Sequence, residues 1–307
     1  MFFLITIYIK KLEKEDKINK LNIFPQNVKK MIINFIKRTN NFFINEIDEK
    51  RKVYLLPNID NINVYKKVIS KIQKEKNNME KIQVVLEDDI KQYKSEFKIV
   101  KVLDGKQIIK DKIDIILEKI LEDEPIELQD IYILTNAYRE LNVNIIRKMA
   151  PKVKSINIIT KEIGKYSNLE EILQNEAIVN VANNKRKSLK KAKIIINLDF
   201  SKEEISEYNI FRNSIIINVT DQKLNNLKAF EGIIIQDIEM KLEEDQEKFI
   251  KDNNLNKNFK KIELYESMYN NSELVDNTEI MYLYGNNGII SEKELRNEQK
   301  ILTNIKN

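Results

Sequence analysis

Polar side chains stand directly after several apolar, β-branched runs, where the end of a strand would present them to a ligand. These residues are Thr135, Asn136, Arg139, Lys161, Glu162, Asn183, Asn197 and Asp199. In open α/β sheets, ligands bind beyond the carboxyl ends of the strands. We take five of these residues as candidate cofactor-binding residues: Thr135, Asn136, Glu162, Asn183 and Asn197. For Asp199 we favour a different role, which is to cap the turn that follows it.

The composition limits the chemistry that these residues could perform. The 307 residues include no Cys and no His, so disulfides, thiolate catalysis and nucleophiles activated by His are excluded. Any catalysis would have to use Asp, Glu, Lys, Tyr, Ser or a cofactor, and the sequence does not identify catalytic residues. The acidic runs 122–124 and 243–245 lie in helical contexts, where we interpret them as solvated faces; no metal site is predicted.

The charge pattern disfavours nucleic acid as a partner. The chain has 53 basic and 48 acidic residues, and Lys and Glu alternate along most of it instead of forming one basic face. The most basic short run is 183–188, which could receive a phosphate, for instance from a cofactor that carries a 2′-phosphate. The alternative, which we favour, is a solvated loop and helix start.

The polar residues are positioned by a series of short apolar runs. Each of the first four runs is followed by a short helical or charged segment, an alternation that indicates a parallel sheet covered by helices on both faces. The five runs are 131–135, 153–160, 177–181, 192–198 and 214–219, and 232–235 could add a sixth strand. The predicted fold class is therefore α/β, with this segment as a mostly parallel sheet.

A separate lobe is predicted before this sheet. It contains strand-like runs at 53–56, 82–86 and 97–103, and a helix that starts at Pro25 and carries Val28, Met31, Ile32, Phe35 and Ile36 on one face. A long helix from about Lys106 to Glu122 should connect the two lobes. The predicted divisions are an N-terminal α/β lobe (1–105), a bridging helix (106–125), the sheet domain (126–240) and a charged helix with a C-terminal extension (241–307).

The first nine residues are apolar but are too few to span a bilayer, which needs about 20 apolar residues. We expect a β-strand here, with a membrane-proximal segment as the alternative, and we expect a cytoplasmic protein without a membrane span. The abundance of Ile, Asn and Lys indicates an AT-rich bacterial genome, so many surface Lys and Asn residues carry no functional information.

The order of a strand-rich lobe, a long helix and a β-α-β-α-β series resembles that of shikimate dehydrogenase and glutamyl-tRNA reductase. The resemblance is most specific at 177–181 and 188–198, which look like the third strand, short helix and fourth strand of those cofactor domains. It covers roughly 129–219 and implies a Rossmann-type domain that could bind NAD or NADP. In those families an acidic residue just past the second strand holds the ribose hydroxyls, and Glu162 has that position here. Its alternative interpretation is an ordinary exposed acid.

The loop after the first strand departs from that pattern. Rossmann domains carry glycines in this loop, so that the backbone can approach the cofactor pyrophosphate. Here the loop reads Thr-Asn-Ala-Tyr-Arg-Glu-Leu over 135–141 and contains no glycine. We expect Tyr138 and Arg139 to fill the space that a pyrophosphate needs.

These observations favour a degenerate nucleotide-binding-type module that is not a working dehydrogenase and has a binding or regulatory role. Its partner would be a small ligand at the strand ends or another protein. One alternative is an NAD(P)-dependent oxidoreductase with an atypical cofactor loop. Another is a structural partner protein whose apolar amino terminus is the contact surface.

Overall fold

The computed structural model describes residues 4–13, 16–18, 21–76, 81–121, 125–173, 178–182, 185–270 and 279–297. The chain forms two compact units. Unit 1 contains the described residues of 1–105 and 242–278, and unit 2 contains those of 106–241 and 279–307. Within these ranges, no helix has the length and apolar character that crossing a bilayer would require.

The helices and strands follow each other in this order along the first third of the chain: β1 (Leu4–Lys11), α1 (Gln26–Arg38), β2 (Phe43–Glu46), β3 (Arg51–Leu56), α2 (Ile62–Lys76), β4 (Lys81–Leu86) and β5 (Lys101–Val102). The next third contains α3 (Lys106–Asp111), α4 (Ile113–Leu121), β6 (Asp130–Leu134), α5 (Glu140–Met149), β7 (Ser155–Ile159), α6 (Ile163–Leu173), β8 (Ile178–Ala182) and β9 (Ile194–Asn197). The last third contains α7 (Lys202–Ser206), β10 (Ile215–Asn218), β11 (Ile233–Ile235), β12 (Asp237–Met240), α8 (Glu244–Asp252), α9 (Lys261–Asn270), β13 (Ile280–Gly285) and β14 (Gly288–Ile289).

Unit 1 is built on a five-stranded sheet in the order β2-β3-β1-β4-β5. The edge strand β2 is antiparallel to β3, and the other pairings are parallel. The apolar start of the chain forms β1, which lies in the middle of this sheet and is almost fully buried. The prediction of a strand for this run is therefore confirmed.

The predicted strand over 97–103 is mostly wrong. A 3-10 helix runs over Asp88–Phe97, and only Lys101 and Val102 form a strand. Phe97 is buried and its ring meets that of Tyr65 edge-on, with centroids 6.3 Å apart. The apolar residues of this run therefore belong to a helix end, a turn and a two-residue strand. Phe97 contributes to the core from the helix end.

Unit 2 is built on a six-stranded sheet in the order β11-β10-β9-β6-β7-β8, in which every pairing is parallel. Numbered from β6, this order is 6-5-4-1-2-3, which is that of the doubly wound Rossmann fold. The predicted fold class is confirmed. All six predicted runs form strands, and their ends lie close to the predicted ones.

The helix predicted from Lys106 is present as α3 and α4, which are separated only by Lys112. Backbone hydrogen bonds continue across this residue, from the Lys112 N–H to the Ile108 oxygen and from the Ile116 N–H to the Lys112 oxygen. Unit 2 begins at Lys106 and therefore includes this helix, whereas α8 and α9 belong to unit 1.

Candidate functional site

The strand order of unit 2 reverses between β6 and β9, and this switch point defines the candidate site. Ligands of doubly wound folds bind in the crevice beyond the carboxyl ends of the strands at such a point. In register, Leu134 of β6 stands beside Asn197 of β9. The residues that follow these two strands therefore face each other across the crevice.

The carboxylate of Asp199 occupies the crevice and binds the loop that follows β6. It accepts hydrogen bonds from the backbone N–H groups of Asn136 at 2.6 Å and Ala137 at 3.0 Å. The Thr135 hydroxyl donates to it at 2.8 Å, and the Asn142 side-chain amide donates at 3.0 Å. One half-buried carboxylate thus satisfies four donors that belong to a single loop and the helix after it.

Tyr166 and Asn142 also hydrogen-bond to the loop that follows β6. The Tyr166 hydroxyl and the Asn142 amide both donate to the carbonyl of Ala137 at 3.0 Å. Burial raises the pKa of the Tyr166 phenol, and the nearby carboxylate of Asp199 raises it further. The ring of Tyr138 meets that of Tyr166 edge-on, with centroids 5.0 Å apart. We call the residues around this carboxylate the Asp199 cluster: Thr135, Asn136, Ala137, Asn142, Tyr166 and Asp199.

A second set of contacts ties the cluster to α7 and to the end of β7. The Asn136 side chain accepts from the backbone N–H of Lys161 at 2.8 Å and donates to Glu204 at 3.0 Å. Lys161 pairs with the same Glu204 oxygen at 2.9 Å. Burial by itself would raise the pKa of Glu204, but hydrogen bonds from the Ser201 backbone and from Lys161 outweigh it and lower the pKa. The hydrogen bond to Glu204 in turn raises the pKa of Lys161.

Uncharged side-chain amides form a row at the carboxyl ends of β9, β10 and β11. Asn197 donates to Asn218 at 2.8 Å, and Asn218 donates to Gln236 at 2.8 Å. Asn197 also holds the turn that follows it, since its amide donates to the carbonyl of Phe200 and its oxygen accepts from the Phe200 N–H. We call Asn197, Asn218 and Gln236 the amide row; the first two are fully buried.

The structure brings together some of the predicted site residues and separates others. Thr135 and Asn136 lie in the Asp199 cluster, and Asn197 starts the amide row. Glu162 is exposed, pairs with Lys165 at 2.8 Å and stands just before α6. Asn183 lies outside the described residues. The cofactor contacts of all five residues stay predictions.

The role expected for Asp199 is wrong. The turn after it is capped by Ser201 and Glu204, which form a reciprocal capping box at the start of α7. Asp199 instead reaches back to the β6 loop, because the two chain segments are neighbours at the switch point although they are 62 residues or more apart in sequence. The sequence showed an acid two residues after a predicted strand and a loop without glycine, but not that the two are neighbours.

Chemically, the Asp199 cluster is a hydrogen-bonded closure of the crevice. Two of the donors that Asp199 binds are backbone N–H groups of the loop after β6, the first strand of the Rossmann order, and this is the loop that holds the pyrophosphate in Rossmann domains. The side-chain amide of Asn136 likewise donates to Glu204 and accepts from the Lys161 N–H within the protein. Among the described residues, no group of three or more acidic side chains could hold a metal ion.

No protein-family model matches the chain. Shikimate 5-dehydrogenase from Listeria monocytogenes, in complex with shikimate and NAD, is 12% identical over 76% of this chain and 86% of its own, with a TM-score of 0.32. L-tryptophan dehydrogenase from Nostoc punctiforme is 10% identical over 99% of this chain and 89% of its own, with a TM-score of 0.35. Shikimate dehydrogenase from Mycobacterium tuberculosis is 8% identical over 30% of this chain and only 36% of its own, with a TM-score of 0.24. These sequence identities and TM-scores are too low to support an argument about function. The fold assignment rests on the strand order of the sheet.

Proposed function

We propose that unit 2 is a Rossmann-type module in which Asp199 has replaced the cofactor phosphate, and that the protein has a binding or regulatory role in the cytoplasm instead of a dehydrogenase activity. The single observation that supports this proposal is the pair of hydrogen bonds from the Asn136 and Ala137 N–H groups to the Asp199 carboxylate. A ligand or protein partner would then be recognised without a pyrophosphate contact.

The argument rests on what a phosphate needs at this position. A Rossmann loop binds pyrophosphate through backbone N–H groups near the start of a helix, where a negative charge is stabilised. A carboxylate meets both needs, since it is anionic and accepts several hydrogen bonds. To reach these N–H groups, a dinucleotide would have to displace Asp199 and would bring more negative charge beside that carboxylate. Both steps oppose binding.

The test is a calorimetric titration of the full chain with NAD and NADP, each at millimolar concentration. We expect no saturable heat and no rise in melting temperature, whereas a ligand at about 100 times its Kd would add about 2.7 kcal/mol of stability. Saturable binding of either dinucleotide by the unmodified protein would overturn the proposal.

The alternative function is an NAD(P)-dependent oxidoreductase that binds its cofactor in another way. The observation in its favour is the exposed carboxylate of Glu162 beyond β7, the second strand of the Rossmann order, where ribose is held in the resembling families. Glu162 pairs with the surface residue Lys165, and such an exposed ion pair costs little to exchange for a ribose. This function requires that Glu162→Ala weaken NAD or NADP binding at least about tenfold while the melting temperature stays unchanged. An unchanged affinity would exclude this role for Glu162.

A further inference from the structure

Helix α1 of unit 1 carries an apolar stripe that faces solvent. Met31 is 71% exposed and Phe35 63%, and Val28 lies beside them on the same face. Ile23, in the turn before the helix, is 85% exposed. None of the residues of α1 is buried, although Ile32 and Ile33 pack partly against the core of unit 1. The helix therefore contacts the core with one side and presents a second apolar side outward.

The charges of the chain segment that carries this stripe are all of one sign. The segment 21–45 contains four charged residues, Lys29, Lys30, Lys37 and Arg38, and no acid. Lys30, Lys37 and Arg38 are exposed. An amphipathic helix with outward apolar residues and flanking cations has the features of helices that lie in the interface of an anionic membrane.

A basic groove continues this surface around the edge strand β2. Its open volume is about 590 Å³, and Ile36 of α1 forms one of its walls. Phe42 and Ile44 add apolar surface to it. Four lysines of α2 line the other side: Lys66, Lys67, Lys71 and Lys74. Thus the groove joins lysines of α2 to partly buried apolar side chains of α1 and of the β2 region.

We propose that this face of unit 1 docks on an anionic lipid surface. The apolar side chains of α1 would enter the headgroup region, and the lysines of α1 and α2 would contact the lipid phosphates. A second copy of the chain fits less well, since a symmetric interface would bring two surfaces of the same charge together. Nucleic acid also fits less well, because it would leave Ile23, Met31 and Val28 without an apolar environment.

The experiment is flotation of the full chain with vesicles of phosphatidylcholine alone and of phosphatidylcholine mixed with phosphatidylglycerol, at low and at physiological salt. We expect binding to the mixed vesicles only, with a loss as the salt rises. Lys30→Gln together with Lys37→Gln should weaken binding about twenty-five-fold, since each cation near an anionic surface contributes about fivefold. Met31→Ser together with Phe35→Ser should weaken it at least about tenfold, because both side chains would lose apolar burial.

Matched controls lie in unit 2. Lys190→Gln together with Lys191→Gln removes two exposed cations, and Ile172→Ser removes an apolar side chain that is 57% exposed. These variants should bind vesicles as the unmodified chain does. All changes are on the surface, so the unfolding free energy should stay within about 0.5 kcal/mol of that of the unmodified chain.

Three results would overturn the proposal. The first is that the unmodified chain fails to float with anionic vesicles. The second is that the α1 variants and the controls lose binding equally. The third is that the apolar α1 variant instead abolishes a dimer seen by sedimentation, or that the lysine variant instead abolishes binding to duplex DNA or RNA, while vesicle binding stays unchanged.

Discussion

The Asp199 cluster and the amide row lie at the same edge of one sheet, but they differ in charge and in burial. The cluster surrounds a half-buried anion with N–H and O–H donors, whereas the row is neutral and its asparagines are fully buried. An anion needs donors that converge on it, and a Rossmann loop supplies them at the switch point. Away from the switch point, the buried polar groups at a strand end only need hydrogen-bond partners. Side-chain amides provide these partners without adding a charge.

This difference separates a loop that binds an anion from strand ends that bind only one another. The amide row has the features of internal structure: each member bonds the next, and its first member also fixes a turn. The Asp199 cluster has the features of a binding site whose ligand is supplied by the chain itself. Substitutions in the two regions should therefore respond differently to an added anion.

The largest effect is expected from Asn197→Leu in the amide row. The substitution keeps the branching of the side chain but leaves the N–H and the carbonyl of Phe200 and the Asn218 oxygen without the Asn197 amide. Each buried polar group that loses its partner costs about 1–3 kcal/mol, so we expect a loss of about 4 kcal/mol in unfolding free energy. Urea unfolding measures this loss, and added phosphate should not restore the lost unfolding free energy.

The control is Asn144→Leu at an exposed position of α5, which should change stability by less than about 0.5 kcal/mol. A recovery of Asn197→Leu in phosphate would remove the distinction between the two regions.

A smaller, reversible effect is expected from Asp199→Ala. The change removes the acceptor of four donors, but the site is only half-buried, so water can replace part of it. We expect a loss of about 2–3 kcal/mol. Phosphate or sulfate should then enter the vacated position, and the melting temperature of this variant should rise with anion concentration more than that of the unmodified chain.

The matched control for that rescue is Asp130→Ala at the opposite end of β6. Asp130 also accepts a hydrogen bond, from the Ser155 hydroxyl at 2.7 Å, but it lies at the amino end of the strand. Phosphate should raise the melting temperature of Asp130→Ala only as much as it raises that of the unmodified chain. Equal gains for Asp199→Ala and Asp130→Ala would mean that the Asp199 carboxylate does not stand in a phosphate position.

The strands were accessible from the sequence, because buried parallel strands are continuous apolar runs. The run Ile194–Asn197 is an example, since Ile fills three of its four positions and all four are buried. The contact between Asp199 and the β6 loop was not accessible. It depends on strand order and register, which place Asn197 beside Leu134, and periodicity along the chain carries no information about either. The sequence did indicate that the loop was abnormal, since it lacks glycine.

Helix α1 shows a second limit of sequence reasoning. The apolar positions Val28, Met31, Ile32, Phe35 and Ile36 share one face, as predicted. Periodicity alone does not say how much of that face a core covers, and here Met31 and Phe35 remain outside it. The same pattern would have arisen from a fully buried helix.

The smallest effect is expected from Glu204→Gln, which tests whether the charge beside the Asp199 cluster matters. The pKa of Glu204 is lower in the folded chain than in the unfolded chain, where it is about 4.3. Its ionised form therefore stabilises the fold above that pH, and this contribution is lost as the pH falls through the lower, folded pKa. Because the pair with Lys161 is partly exposed, the difference in stability between the two proteins should be below about 1 kcal/mol at pH 7 and should shrink as the pH falls below about 4.3. Urea unfolding at a series of pH values measures this difference. A difference that stays constant down to pH 3 would show that Glu204 acts through its shape and its hydrogen bonds, as the neutral amide row does, and not through its charge.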